Sequence, residues 1–353
     1  MKVQVLEFGL ANQVLIAKEN RDGNNMGKVQ NLNILTVNWH TAYLYNLSQT
    51  GHRWSVLNKW EDFNRPLPAN FQLTDWATAH RNFSRFDAAI GHSIWIDVAR
   101  LLPYCVFYHK PYIQVIHGRR CRGGFSRSRL RRFAKLLYAN LALKTLVRMG
   151  LMRVVFISPY AASDWGVAGT AIDQGINLAE LGPYQGTEPS LLTVGNTLHR
   201  EHFAFDELMQ IRKQVPVKIV GVNPNIPDCR PSKNWEELRA LYCQNRAYLN
   251  LTREPEDGHN LAVLEAMGSG MPVISLEHRS TPIRNGENGF LVQSVAEAVD
   301  RAKQLMSDHE LARSLGRCAR DTVQRQFSLD AFRDRWNELL ARSIEAGRSR
   351  RAL

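Results

Sequence analysis

Two carboxylates stand out by their setting. Asp257 and Glu265 flank a seven-residue spacer in EDGHNLAVLEAMGSGMPVIS, and between Asp257 and Glu277 the one full charge is Glu265. The residues that follow it, Ala-Met-Gly-Ser-Gly-Met-Pro-Val-Ile, read as protein interior. A carboxylate in such a stretch is costly unless something hydrogen-bonds it, and a ligand hydroxyl is one such partner. Apolar spacing predicts a helix from about Asn260 to Met267, with Leu261, Leu264 and Met267 on one face and Gly268 and Gly270 ending it. The amides of Gly258, His259, Asn260 and Leu261 then stand at a helix N-terminus, where unpaired N–H groups receive anions such as phosphate. The plainer alternative is that Asp257 caps the helix and Glu265 is an exposed point on it.

The elements that must position these residues follow a strand–helix rhythm. LNILTV, WSVLN, DAAIGHS, YIQVIHG and RVVFISPYAA read as strands, with AYLYNLSQTGHRW a helix between the first two. A turn-rich stretch, GINLAELGPYQGTEPS, interrupts the pattern, which restarts with LLTVGN, VKIVGV, NWEELRALYCQ and AYLNLT. MPVISL and GFLVQ follow as strands, then three helices, with Ser328 as a plausible N-cap of the last. This alternation predicts α/β architecture, with two doubly wound parallel sheets in series facing a ligand cleft. The boundaries fall at 1–31 (an extension), 32–180, 181–327 and 328–353. DGNNMGK in the extension lacks phosphate-loop spacing and reads as a surface loop.

EDGHNLAVLEAMGSGMPVIS, followed by IRNGENGFLV, resembles the signature of retaining GT-B glycosyltransferases of the large sucrose-synthase/mannosyltransferase type. The resemblance covers roughly Leu191 to Phe327; before that, only the strand–helix rhythm and a His-Gly strand end agree. It implies a GT-B fold of two Rossmann-like domains, and transfer of a sugar from a nucleotide-sugar donor to a glycan or lipid-linked glycan acceptor. By the same resemblance Glu265 holds the ribose. Asp257 stands where the family usually has Glu and contacts hydroxyls of the transferred sugar. Residues 258–261 hold sugar and diphosphate, and His117 in VIHG lies near the donor sugar. The family's Arg–Lys pair on the diphosphate is not in its place: Asn196 follows Gly195, and Glu201 sits at the lysine spacing. Arg200 or Arg253 is the candidate substitute. Thr281 stands where an acidic residue is common. VNWHTAYLYN replaces the family's first glycine-rich loop, leaving His40 and Thr41 as acceptor-side candidates. No Asp-x-Asp occurs, which agrees with a cleft that uses helix dipoles and cations in place of a metal. The displaced cations and the Asp-for-Glu change keep a second reading open, a glycosyltransferase-like protein that binds nucleotide or polyanion without turnover.

The net charge is +12, and anionic partners are expected from it. No acid occurs between Asp97 and Asp164, where thirteen Lys and Arg residues lie. The densest part contains Arg127, Arg129, Arg131, Arg132 and Lys135 on a helix starting near Ser128, with Leu130, Phe133, Leu137 and Leu141 as its apolar face. An ordinary packed helix with a solvated basic face competes with docking to an anionic membrane surface. Nucleic acid is disfavoured, because Phe125, Phe133 and Tyr138 form no stacking array. The five scattered cysteines include no CxxC pair and read as reduced thiols. With no signal peptide and no apolar run of spanning length expected, the protein reads as cytoplasmic, or peripheral on the inner face of the membrane.

Overall fold

The computed structural model describes residues 31–60, 65–118, 127–200, 203–253, 260–278 and 280–349, with 127–136 described by backbone alone. The extension 1–31 therefore lies outside the described residues except for Asn31.

The first domain runs β1 (Asn33–Val37), α1 (Thr41–Ser48), β2 (Arg53–Leu57), β3 (Phe71–Thr74), α2 (Trp76–Arg81), β4 (Ala88–Gly91), α3 (Ile96–Phe107), β5 (Tyr112–Ile116), α4 (Arg127–Arg148), β6 (Arg153–Phe156), α5 (Pro159–Trp165) and β7 (Thr170–Ala171). Its seven strands are all parallel, in the order β3-β2-β1-β4-β5-β6-β7. The second runs β8 (Glu188–Val194), α6 (Phe205–Arg212), β9 (Val217–Val220), α7 (Trp235–Gln244), β10 (Asn245–Asn250), α8 (Leu261–Ser269), β11 (Val273–Leu276), β12 (Gly289–Val292), α9 (Val295–Ser307) and α10 (His309–Gln326), and the chain ends in α11 (Leu329–Ser349). Its sheet is five-stranded and parallel, in the order β12-β11-β10-β8-β9. Central strands such as β5 and β10 are buried along their whole length, as parallel strands covered by helices on both faces must be.

Each domain has apolar cores on both faces of its sheet. Helix α11 belongs to the first of them, although it is last in the chain. Phe332, Trp336, Leu339, Leu340 and Ile344 pack with Ile34, Tyr43 and Leu44. Ser328 caps it as expected, its Oγ accepting from the Ala331 amide at 3.2 Å. The chain thus crosses between the domains twice, once before β8 and once before α11. Where the crossings meet, the Ile176 amide donates to the Phe327 carbonyl at 2.8 Å. Gly175 lies so close to Phe332 that a Cβ there would sit 2.5 Å from the Phe332 Cβ.

One expected face is corrected. Leu137 and Leu141 point to solvent, while Ala139, Asn140 and Leu143 are the buried positions among the described side chains of α4. The stripe that meets the sheet runs through Ala139, Asn140 and Leu143, with Leu146 and Val147 packed beside it; because it includes a small and a polar residue, ranking by hydrophobicity picks the wrong stripe. The side chains of Leu130 and Phe133 lie outside the described residues, as do those of Arg127, Arg129, Arg131, Arg132 and Lys135.

Candidate active site

A cavity of about 450 Å³ lies between the domains, where strand C-termini of both sheets converge. His40, Thr41 and His117 line it from the first domain; Asn196, Arg200, Asn260, Leu261 and Glu265 line it from the second. Eight of the residues singled out in the sequence are therefore gathered at one place. Another cavity, of about 480 Å³, runs along the outer edge of β9 beside Arg212, Lys218 and Arg230 and holds none of them.

On the second domain the site is built by α8. Asn260 is its N-cap, the side-chain oxygen accepting from the Ala262 amide at 2.9 Å, so the capping role weighed for Asp257 falls to Asn260. Asp257, Gly258 and His259 lie outside the described residues. Glu265 is one turn inside the helix and 6% exposed, which removes the reading of it as an exposed point. Its carboxylate accepts from the Arg65 guanidinium and, at 3.0 Å, from the Tyr242 hydroxyl. Neither partner was anticipated: they stand on other elements, and nothing in the local pattern marks them.

Two loops of the same domain, after β8 and β9, frame the cavity beside α8. Asn196 Oδ1 accepts from the Val222 amide at 2.8 Å, the Thr197 amide donates to the Val222 carbonyl at 3.0 Å, and Asn223 Nδ2 donates to the Gly195 carbonyl at 2.7 Å. The approach is so close that a Cβ on Gly221 would fall 2.2 Å from the Gly195 oxygen, and Gly221 has φ +140°. The residue in the family's arginine position thus secures a loop–loop contact. Of the two candidate cations, Arg200 is exposed and lines the cavity. Arg253 is ion-paired with Glu207 of α6 and does not line it. Thr281 does not line it either; its hydroxyl accepts from the Ile283 amide at 3.3 Å.

The first domain contributes an imidazole chain. Thr36 Oγ1 lies 3.1 Å from His92 Nε2, and His92 Nδ1 lies 2.7 Å from His117 Nε2. His40 covers His117 with ring centroids 4.7 Å apart, and Tyr43 meets its edge at 4.8 Å. Burial pushes the His92 imidazolium down to about 3 and holds His117 well below the usual histidine range. Both are therefore neutral near pH 7, and each offers one donor and one acceptor. Asp97 fixes the turn that carries His92, accepting from the His92 and Ser93 amides, each at 2.7 Å. His92 was legible only as a histidine at a strand end. Its pairing with His117 needs β4 and β5 to be sheet neighbours, which they are. Among the described residues no group of three His, Cys, Asp or Glu side chains is placed to hold a metal ion.

Residues 200–341 match the family model described as glycosyl transferase-like. The GtfA subunit of the UDP-N-acetylglucosamine–peptide N-acetylglucosaminyltransferase of Streptococcus pneumoniae serotype 4 is 28% identical over 142 residues, 34% of this chain and 28% of that protein. Among solved structures, sucrose-phosphate synthase from Thermosynechococcus elongatus aligns with TM-score 0.65 at 16% identity, covering 89% of this chain and 100% of that one. HepE from Anabaena, in complex with UDP and glucose, aligns with TM-score 0.65 at 12% identity, over 88% and 99%. The chain covers between 18% and 28% of the length of the curated relatives it matches. The resemblance read from the motif is borne out: the chain carries a glycosyl transferase-like domain and has the GT-B fold.

Proposed function

We propose that this GT-B chain moves a sugar from a nucleoside-diphosphate sugar to a hydroxyl acceptor, with retention of anomeric configuration and without a divalent metal. The observation that carries the reading is one cleft holding the α8 N-terminus, Glu265 and Arg200 on one wall and the neutral His117 on the other. The ribose lies on Glu265 and the diphosphate on the first amides of α8, where the helix dipole and Arg200 meet the charge that develops on the leaving group. Asp257, assigned by resemblance alone, and His117 hold hydroxyls of the sugar. The acceptor hydroxyl enters on the face from which the diphosphate departs. The sugar C1–phosphate oxygen bond breaks, the C1–acceptor oxygen bond forms, and the hydroxyl proton passes to the leaving phosphate. His40 and Thr41 line the acceptor side.

A glycan or lipid-linked acceptor of envelope or exported polysaccharide synthesis fits the basic region of the first domain. Trp95 and Tyr138 stack there at 5.7 Å with planes 3° apart, and Tyr138, Leu137 and Leu141 are all more than half exposed on the helix that carries Arg127 to Lys135. Exposed aromatic and aliphatic groups on a helix whose sequence is dense in cations suit an anionic bilayer surface. No helix of the described residues is long and apolar enough to cross a membrane; the attachment proposed from this surface is peripheral, on the cytoplasmic face.

The test is a panel of radiolabelled UDP-, GDP-, ADP- and dTDP-sugars, scored for binding and slow hydrolysis. Binding to none of them overturns the proposal. The second reading, nucleotide binding without turnover, is favoured by one observation: Asn196, in the arginine position, is committed to a loop contact. Binding without hydrolysis or transfer to any acceptor, together with an unchanged cellular phenotype on replacing Asp257 and Glu265 by Ala, supports that reading.

A further inference from the structure

Arg65 lies in the first domain, on the connection between β2 and β3, yet its guanidinium reaches Glu265 in the second, 200 residues away in sequence. Arg65 is 3% exposed and does not line the cavity, whereas Glu265 does. The orientation of Arg65 is fixed on several sides. The guanidinium carbon stands 3.3 Å from the centroid of the Trp235 ring and 5.6 Å from that of Tyr45. Tyr45 and Trp235 are fixed in turn by one carboxylate, Glu180: the Tyr45 hydroxyl donates to it at 3.1 Å and the Trp235 indole N–H at 3.0 Å. The Trp60 indole N–H donates to the Arg65 carbonyl at 2.8 Å. The cage draws on α1, α7 and the crossing segment before β8, so it exists only when the two domains meet.

The effect on Glu265 is geometric. Arg65 donates to one carboxylate oxygen and Tyr242 to the other. A carboxylate has about four acceptor positions. With one position on each oxygen taken, the group cannot rotate, and one acceptor per oxygen remains. Two adjacent acceptors in a fixed plane match the two hydroxyls of a vicinal diol. We infer that Arg65 is a positioning residue through which the first domain presets the second domain's carboxylate for the 2′,3′-diol of a ribonucleotide. This rests on the reading of Glu265 as the ribose ligand. Without Arg65, a buried carboxylate loses its cationic partner and one of the two hydrogen bonds that fix its plane, and its rotation removes the paired acceptors.

The experiment uses the full chain and calorimetric titration with matched pairs: UDP and dUDP, ADP and dADP, GDP and dGDP. Wild type is expected to bind the ribonucleotide of its preferred base 10-fold or more tighter than the 2′-deoxy partner. Arg65→Ala should bring that ratio below about 3-fold, and Arg65→Lys, which keeps charge but loses the planar fork, should fall between. A general loss of stability would lower both affinities and leave the ratio alone. Where Arg65→Ala does not fold, Arg65→Lys and Tyr242→Phe carry the test, each expected to lower the ratio. A wild-type ratio retained by the variants that fold overturns the inference. Parity between ribo and deoxy forms in wild type overturns it too, while leaving sugar transfer standing. Failure of every nucleotide to bind wild type overturns the transferase reading itself.

Discussion

Lowering the pH should weaken the first domain through His92. In the fold this imidazole is held at about 3 by burial, against about 6.5 in the unfolded chain. Between those values the unfolded state binds a proton that the folded state refuses, so stability falls as pH falls below about 6.5. Each pH unit in that window is worth about 1.4 kcal/mol, so a change from pH 6.5 to 5 removes about 2 kcal/mol through His92 alone. His117 is shifted in the same direction and adds to the loss. The assay is urea unfolding at pH 7 and pH 5, followed by tryptophan fluorescence; Trp54 and Trp336 are fully buried in this domain and report on it. His92→Gln is the comparison, since it removes the titrating group and leaves every carboxylate in place. Asp97, whose carboxyl is raised by burial and therefore acts in the opposite sense, is present in both proteins. The parent should lose about 2 kcal/mol more than the variant between the two pH values. Equal losses would refute the picture of a neutral imidazole chain at the cleft.

Four further outcomes are expected. Arg200→Ala should weaken nucleotide-sugar binding at least 10-fold in a thermal-shift titration, and Arg253→Ala by less than 2-fold, because only Arg200 lines the cavity. Gly316→Ala should destabilise the second domain by about 1–3 kcal/mol in urea unfolding, because its Cβ would lie 1.9 Å from the Gly270 oxygen, where α10 crosses the end of α8. Asn260→Ala should cost about 1 kcal/mol by removing the α8 cap, read by the same method. Replacing Trp95, Leu137, Tyr138 and Leu141 by Ser should abolish flotation with vesicles containing phosphatidylglycerol while sparing nucleotide binding; unchanged flotation would remove the membrane surface from the proposal.

The sequence by itself determined the parallel α/β class, the position of α8 and the isolation of Glu265. These are local matters: strand runs, a helix period and one charge among apolar neighbours are visible within a dozen residues. It passed over β3, where only Phe71 is buried and Gln72 and Leu73 face solvent on a sheet edge, so neither alternation nor an apolar run marks the strand. Tertiary structure alone decided what answers the buried charge. Arg65 and Tyr242 reach Glu265 from 200 and 23 residues away, and no periodicity encodes which distant side chain will arrive. It also decided that α4 turns Leu137 and Leu141 outward, and that α11 returns to pack on the first domain. The same holds for His92, which becomes a partner of His117 only when β4 and β5 lie side by side. A strand's register with its neighbour, and a helix's rotation about its own axis, depend on the whole surface each must cover, and that surface exists only once the chain has folded.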